Sequence, residues 1–240
     1  MSGAMASPAP FPTEDDARAA IVAACLRMNA LGINQGKAGN VSLRWDRGAA
    51  DGMLITPSAL DYESTTPDDV VWVSIACRDA EPGADPQPGV VDGVRRPSSE
   101  WRMHRDVYAA RADAGAVIHT HGPYAATLAC LPRIQREGIP AFHYMIATAG
   151  GDDLRCAEYA TFGTQALSAN ALAALAGRRA CLLANHGLLA HHETLASALA
   201  LAAEVESLCR MYWQALQVGE PVVLDADQMA QVHARFAGYR

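Results

Sequence analysis

His119 and His121 are the residues of this sequence with the clearest potential for chemistry. They follow an apolar run over residues 116–118 and precede Gly122, a pattern typical of a buried strand that ends in a turn. Successive side chains of a strand point to opposite faces, so residues two positions apart share a face. Both imidazoles can therefore bind one metal ion, although such a pair also occurs as ordinary hydrogen-bonded structure.

A third histidine and one carboxylate favour a metal site over ordinary hydrogen-bonded structure. His186 lies at the end of a second apolar strand, over residues 179–186, and also precedes a glycine. Glu100 is expected in the first turn of a helix, where the helix dipole favours a carboxylate. Imidazole nitrogens and a carboxylate oxygen suit Zn²⁺, and a catalytic zinc keeps one position for water or substrate. The predicted ligands of this zinc ion are His119, His121, His186 and Glu100.

Two other segments contain groups that bind anions. The turn over residues 34–40 includes Lys37, Gly39 and Asn40, and its backbone N–H groups could surround a phosphate. Ser98 and Ser99 add two hydroxyls to the free N–H groups of a predicted helix start. An ordinary helix-to-strand connection and simple helix capping explain the same residues, so the pattern leaves both alternatives open.

His104 follows Glu100 by four residues, so both are expected on one face of the helix. No second group at matching spacing joins it, and we expect a structural role. His104→Ala should then keep both metal and turnover, whereas His121→Ala should lose both.

The remaining chain predicts the elements that position these residues. Strands and helices are mixed along the chain, which predicts a layered α/β architecture. Several strands follow one another without a helix between them, so part of the sheet should be antiparallel. We expect a disordered tail over residues 1–12, a single domain over residues 13–240, and a long exposed hairpin or loop over residues 79–97.

Composition excludes several classes of protein. The 240 residues are 50% hydrophobic, and the net charge is -7 without a basic cluster, which argues against nucleic acid or an anionic membrane as the partner. No apolar run approaches the length of a membrane span. The six cysteines form no C-x-x-C motif, which indicates a reducing compartment and a cytoplasmic protein.

Several blocks of the sequence resemble the class II aldolase/adducin family. The resemblance runs from about residue 18 to the C-terminus, and its blocks are LGINQGKAGNVS (31–42), DGMLITPS (51–58), PSSEWR (97–102), HTH (119–121), HYMI (143–146), YATFGT (159–164) and NHGL (185–188). It implies a three-layer α/β/α sandwich around a largely antiparallel sheet. It also implies a cyclic homotetramer with active sites at subunit contacts.

The resemblance also implies roles for individual residues. The three histidines match the zinc ligands of the family, and Glu100 matches its acid–base carboxylate. Tyr144 and Tyr239 match tyrosines that assist the aldehyde half of the substrate. The residues that match its phosphate-binding pairs are Gly39 and Asn40, Ser58 and Ala59, and Ser98 and Ser99.

The chain departs from relatives in the family at the phosphate loops. Ala59 replaces a glycine, which is tolerable only if the backbone there avoids a positive φ. Lys37 replaces a threonine, and its ammonium could compensate by pairing with the phosphate. The loop over residues 79–96 is also longer than in those relatives.

The implied reaction is the reversible cleavage of a ketose 1-phosphate to dihydroxyacetone phosphate and a short aldehyde. L-fuculose 1-phosphate, which gives L-lactaldehyde, is the leading substrate. The alternatives are 5-deoxyribulose or 5-methylthioribulose 1-phosphate. A pentulose-5-phosphate 4-epimerase ranks lower, because those relatives carry aspartate at the position of Glu100. A decarboxylase of the same fold and a non-enzymatic, adducin-like interaction domain are the remaining alternatives.

Overall fold

The computed structural model describes residues 11–78, 85 and 87–238. Residues 1–10 of the expected tail, residues 79–84 and 86 of the expected long hairpin or loop, and Tyr239 lie outside these described residues. The helices, in chain order, are α1 (Glu14–Ala30), α2 (Trp101–Ala110), α3 (Pro123–Ala129), α4 (Pro132–Glu137), α5 (Gln165–Ala174), α6 (Leu195–Val218) and α7 (Ala226–Ala237). Short 3₁₀ helices cover Tyr62–Ser64, Pro67–Asp69 and Tyr144–Ala149.

The strands form a central sheet and two small two-stranded sheets, β4–β5 and β8–β9. In chain order they are β1 (Asn40–Arg44), β2 (Gly52–Ile55), β3 (Val71–Ser74), β4 (Cys77–Arg78), β5 (Gln87–Pro88), β6 (Val91–Asp92), β7 (Ala116–Thr120), β8 (Ile139–Pro140), β9 (Asp153–Leu154), β10 (Cys156–Ala157), β11 (Ala180–Leu183) and β12 (Gly187–His192). The central sheet has eight strands in the order β10-β11-β12-β7-β1-β2-β3-β6. Within the described part of the chain, β10 and β11 form its one parallel pair.

Apolar side chains from both faces of this sheet pack against helices. One face packs against α1, α3 and α6, with Ile21, Val205 and Leu208 in that core. The other face packs against α2 and α5, with Val107 and Leu167 in a second core. All residues of β7 are buried, because this strand lies in the middle of the sheet between both helical layers. The predicted three-layer α/β/α sandwich around a largely antiparallel sheet is thus confirmed.

Two local predictions are corrected by the structure. Glu100 is the N-cap residue of α2 and not part of its first turn, because its backbone (φ -97°, ψ 15°) leaves the helix and its side chain turns towards the histidines. His186 lies in the turn between β11 and β12, beyond the end of the strand. Among the described residues, none of the helices combines the length and apolar character that a membrane span requires.

Candidate metal centre

Strand pairing brings the histidines of two distant segments together. The central strand β7 pairs antiparallel with β1 on one side, opposing His119 to Asn40, and with β12 on the other, opposing His119 to Leu189. The β11–β12 turn therefore lies beside the end of β7. A Cβ on Gly187 would clash with the carbonyl oxygen of Thr120, so a glycine is required where the turn approaches the strand. This close approach places His186 next to the His119–His121 pair.

Four side chains converge at this point. Nε2 of His119 lies 3.2 Å from Oε2 of Glu100, and Nε2 of His186 lies 3.4 Å from Oε1 of the same carboxylate. Nε2 of His121 lies 2.9 Å from Nε2 of His119. One candidate ligand atom from each of the four residues lies within 4.8 Å of all the others. The structure thus brings together all four residues of the predicted zinc site.

The donor chemistry of the cluster fits a cation at its centre. His119 donates its Nδ1–H group to the carbonyl oxygen of Leu188 over 2.8 Å, so a neutral His119 directs the lone pair of Nε2 towards His121 and Glu100. This bond to the backbone also fixes the tautomer and the ring orientation that a metal ligand needs. Oε1 of Glu100 is buried and has no hydrogen-bond partner. Such a set of inward-facing acceptors needs positive charge, and three nitrogens and one carboxylate match a divalent metal ion.

The protonation states follow from burial and mutual charge. Burial alone raises the pKa of Glu100, but the charge and hydrogen bond of His119 and the charge of His186 hold that pKa well below its ordinary value. Burial lowers the pKa of His119, and the charge and hydrogen bond of Glu100 raise it by more. Burial and the charge of His119 lower the pKa of His121 to about 3 and that of His186 to about 4. Without a metal, His119 is therefore the imidazole of this cluster that is most readily protonated.

Asn40 contributes to this centre in a way that the sequence did not indicate. Its side chain donates from Nδ2 to Oε2 of Glu100 over 2.9 Å. Its Oδ1 atom accepts a hydrogen bond from Nε2 of His104. The side chain of His104 is fully buried. Asn40 was predicted as a phosphate ligand, but both ends of its side-chain amide have partners in the core. The spacing of four residues between Glu100 and His104 was the one available signal for this arrangement.

The three predicted phosphate loops lie close to one another. Pro57 and Pro97 form a β-bridge, and Ser58 donates its N–H to the carbonyl oxygen of Arg96 over 2.9 Å. Ser58 and Ser99 are exposed and line one cavity of about 500 Å³, whereas Ser98 is buried. A Cβ on Gly39 would lie 2.5 Å from the carbonyl oxygen of His119, so glycine keeps the first loop tight against β7.

Ala59 has a left-handed backbone conformation, in which the methyl group of an alanine is strained. Its φ is +59°, in the left-handed region that favours glycine. Nζ of Lys37 lies 3.4 Å from the carbonyl oxygen of Ala59 and 3.7 Å from Oδ1 of Asp61. The lysine side chain therefore connects the first loop to the second.

A second cavity, of about 280 Å³, opens onto Glu100, His121 and His186. Ser99 and Phe162 line this cavity and also the one beside Ser58, so the metal centre and the serine loops share walls. Tyr159 and Phe162 are 63% and 66% exposed, which is unusual for aromatic side chains at a cavity. Both residues lie in the block YATFGT (159–164) of the family resemblance, but neither was predicted as a site residue, because an aromatic residue is most often part of the core.

Tyr144 lies apart from these cavities. It begins the 3₁₀ helix Tyr144–Ala149, its side chain is 50% exposed, and its ring stacks on Phe236 of α7 at 6.4 Å. It does not line the cavity at the metal centre. A larger cavity of about 960 Å³, beside Arg178 and His233, includes none of the predicted site residues. The second predicted tyrosine, Tyr239, lies outside the described residues.

Residues 19–213 match the family described as Class II Aldolase and Adducin N-terminal domain. The chain belongs to this family. It is 49% identical over 222 residues to the 5-methylthioribulose-1-phosphate/5-deoxyribulose-1-phosphate aldolase of Rhodospirillum rubrum, covering 92% of this chain and 91% of the relative. It is 43% identical over 220 residues to the L-fuculose phosphate aldolase of Escherichia coli, covering 91% of this chain and 93% of that protein. A solved structure of an L-fuculose 1-phosphate aldolase superposes with a TM-score of 0.81 at 40% identity, covering 97% of this chain and 98% of that one.

Membership of the class II aldolase family makes this protein a metal-dependent aldehyde-lyase. The predicted enzyme class is therefore confirmed. The comparisons do not distinguish L-fuculose 1-phosphate from the alternative substrates. A relative named for those alternatives is 49% identical to this chain, and the L-fuculose phosphate aldolase is 43% identical.

Proposed function

We propose that this protein reversibly cleaves a ketose 1-phosphate with an apolar terminal carbon to dihydroxyacetone phosphate and a short aldehyde. The observation that carries the proposal is the convergence of three imidazoles and one carboxylate. One ligand atom from each of these four groups lies within 4.8 Å of the ligand atoms of the other three. The first candidate substrates are 5-methylthioribulose and 5-deoxyribulose 1-phosphate, since the relative at 49% identity bears those names. L-fuculose 1-phosphate, supported by the relative at 43% identity, is the second.

The proposed metal is one Zn²⁺ per subunit, held by His119, His121, His186 and, when no substrate is bound, Glu100. When bound, such an ion supplies Lewis-acid polarisation of the substrate oxygens, typically worth several kcal/mol of the barrier. Nitrogen ligands with one carboxylate match the preference of zinc.

Glu100 is the proposed acid–base group. In the direction of condensation, it takes a proton from the hydroxymethyl carbon of dihydroxyacetone phosphate, which becomes C3 of the product. The hydrogen bond that its carboxylate accepts from Asn40 favours the ionised form that this task needs. A tyrosine donates a proton to the aldehyde oxygen, which becomes the C4 hydroxyl, and cleavage reverses both transfers. General acid–base steps of this kind are typically worth ~10²–10⁴-fold in rate.

Tyr144 is the proposed proton donor to the aldehyde oxygen, and Tyr239 a second residue of the aldehyde half. Tyr144 is half exposed and away from the cavity of its own chain, which supports action at the metal centre of a neighbouring subunit. Such an arrangement requires an oligomer, and the family resemblance implies a homotetramer with active sites at subunit contacts. Residues 13–240 would then act as one catalytic domain in each subunit.

The phosphate of the substrate is proposed to lie at the three loops around Ser58, Ser99 and the backbone of Gly39 and Asn40, with Lys37 nearby. Exposed hydroxyls in one cavity that adjoins the metal centre support this placement. Holding the phosphate there positions the reacting carbons over the metal. The buried thiols of Cys25, Cys181 and Cys209, free in the structure, support a cytoplasmic location, which we also propose.

A panel of substrates tests the proposal. The zinc-loaded protein is incubated with each ketose 1-phosphate, and the release of dihydroxyacetone phosphate is measured as kcat/KM. We expect the highest value for 5-methylthioribulose or 5-deoxyribulose 1-phosphate and a lower value for L-fuculose 1-phosphate. His121→Ala is the inactive control. If no ketose 1-phosphate is cleaved while a pentulose 5-phosphate is epimerised, the aldolase proposal is wrong.

A further inference from the structure

A buried chain of hydrogen bonds leads from Glu100 into the core. Beyond Asn40, Nδ1 of His104 lies 2.7 Å from Oγ of Ser42, and this hydroxyl lies 2.8 Å from the hydroxyl of Tyr108. All five residues of this hydrogen-bond chain are at most 5% exposed. Burying a polar group destabilises the folded protein unless the group has a hydrogen-bond partner. In this chain of five residues, Oε1 of Glu100 is the one buried side-chain atom without such a partner.

The chemistry of the partners fixes the direction of every bond. An ionised carboxylate only accepts, so Nδ2 of Asn40 faces Glu100 and Oδ1 faces His104. Because Oδ1 also only accepts, the proton of His104 is on Nε2. Burial, aided by the charge of His119, lowers the pKa of His104 to about 3, so the ring is neutral and Nδ1 accepts from Ser42. Ser42 in turn accepts from the hydroxyl of Tyr108.

We propose that His104 is a positioning residue of the aldol reaction, whose Nε2–H group locks the amide of Asn40 and thereby holds the Glu100 carboxylate in its reactive orientation. The inference rests on the proposed acid–base role of Glu100. Without this donor, the asparagine amide can rotate by about 180° and present Oδ1 to Glu100, where two acceptors repel each other. With His104 in place, the rotated amide would set an N–H group against Nε2–H, so the rotation is blocked.

This inference replaces the expectation that His104 is only structural. A histidine that merely fills the core would be exchanged for leucine without a specific loss of turnover. A histidine that orients Asn40 must keep its donor at the position of Nε2. The two roles therefore differ in which substitution restores activity.

Three substitutions at position 104 separate the roles. The amide nitrogen of His104→Gln can reach the position of Nε2, whereas His104→Asn reaches only the position of Nδ1 and His104→Leu supplies no donor. We expect His104→Asn and His104→Leu to lower kcat by about 10- to 100-fold, with KM and bound zinc changed by less than about two-fold. His104→Gln should recover most of the lost kcat.

Ser168→Ala is the matched control. Its buried hydroxyl also bonds α2, at the carbonyl oxygen of Arg102 over 3.2 Å and at Oδ2 of Asp106 over 2.5 Å, but it lies outside the hydrogen-bond chain. It should lower stability without lowering kcat. Equal kcat values for wild type and His104→Leu, or equal losses in His104→Gln and His104→Leu, would overturn the inference.

A second measurement keeps the inference testable if a variant fails to fold. Nitrogen-15 NMR of the wild-type protein with labelled histidine should show His104 neutral, with its proton on Nε2 and a bare Nδ1. A proton on Nδ1 would overturn the proposed direction. If the wild-type enzyme cleaves no ketose 1-phosphate, the proposed function fails; if it is active and His104→Leu is equally active, this inference alone fails.

Discussion

Glu100→Gln is the substitution that examines the metal centre most directly. It keeps the size of the side chain and removes its negative charge. In the wild-type protein without metal, the charge of Glu100, 3.2 Å from Nε2 of His119, raises the pKa of that imidazole against the effect of burial. In the variant, burial is the main influence left, and the pKa of His119 should fall below its ordinary value.

The size of the effect can be stated as a number of protons. At pH 6, His119 of the metal-free wild type is protonated, whereas His121 and His186, with pKa values of about 3 and about 4, are not. Because imidazole must be deprotonated to bind a metal, Zn²⁺ should release about one proton from the wild type and nearly none from the variant. Turnover should fall by ~10²–10⁴-fold, a barrier increase of about 3–5 kcal/mol.

Calorimetric titration with Zn²⁺ in two buffers of different ionisation enthalpy measures this proton release. At pH 6, a water molecule on the bound metal contributes little, because its pKa is typically near 7. Equal proton release by the wild type and Glu100→Gln would contradict the coupling between Glu100 and His119. A variant that retains more than about a tenth of the wild-type kcat would contradict the acid–base role.

Three further predictions concern single substitutions. His121→Ala should lose bound zinc and turnover together, as measured by metal analysis and the cleavage assay, and retention of stoichiometric zinc would contradict its place among the ligands. Ala59→Gly should raise the free energy of unfolding by about 0.5–1 kcal/mol in urea titration, because glycine adopts a φ of +59° without strain, and a loss of stability would contradict this. Glu206→Ala should lower that free energy by about 2 kcal/mol, with a smaller loss for Glu206→Gln, because Glu206 accepts from the N–H groups of Tyr124 and Ala125 at the start of α3 over 2.7 Å and 3.0 Å. Equal stability of wild type and Glu206→Ala would show that this cap is not needed.

Local sequence patterns were sufficient for much of the fold. Thr13 followed by acidic residues is a typical helix-start pattern, and the structure has Thr13 as the N-cap of α1, accepting from the N–H of Asp16 over 3.1 Å. Apolar residues at alternate positions predict a strand over residues 41–45, and β1 covers Asn40–Arg44, within one residue at each end. These signals are reliable because capping and strand periodicity depend on residues close in the chain.

The structure decided features that no local pattern contains. The residue type of Ala59 does not indicate a left-handed backbone, so only the structure shows that position 59 fails the condition of avoiding a positive φ. The exposure of Tyr159 and Phe162 at the metal centre depends on how separate loops pack. The distance of Tyr144 from the cavity of its own chain likewise depends on tertiary packing.

The sequence by itself determined which groups could bind a metal, because the spacing of His119 and His121 fixes their common face. It also determined the family, through blocks that lie in the same order along the chain. Only the tertiary structure decided that Glu100 and His186 reach that pair, and that Asn40 and His104 stand behind the carboxylate. The physical reason is that these contacts depend on the register of β1, β7 and β12, which is set by the packing of the whole sheet between its helices.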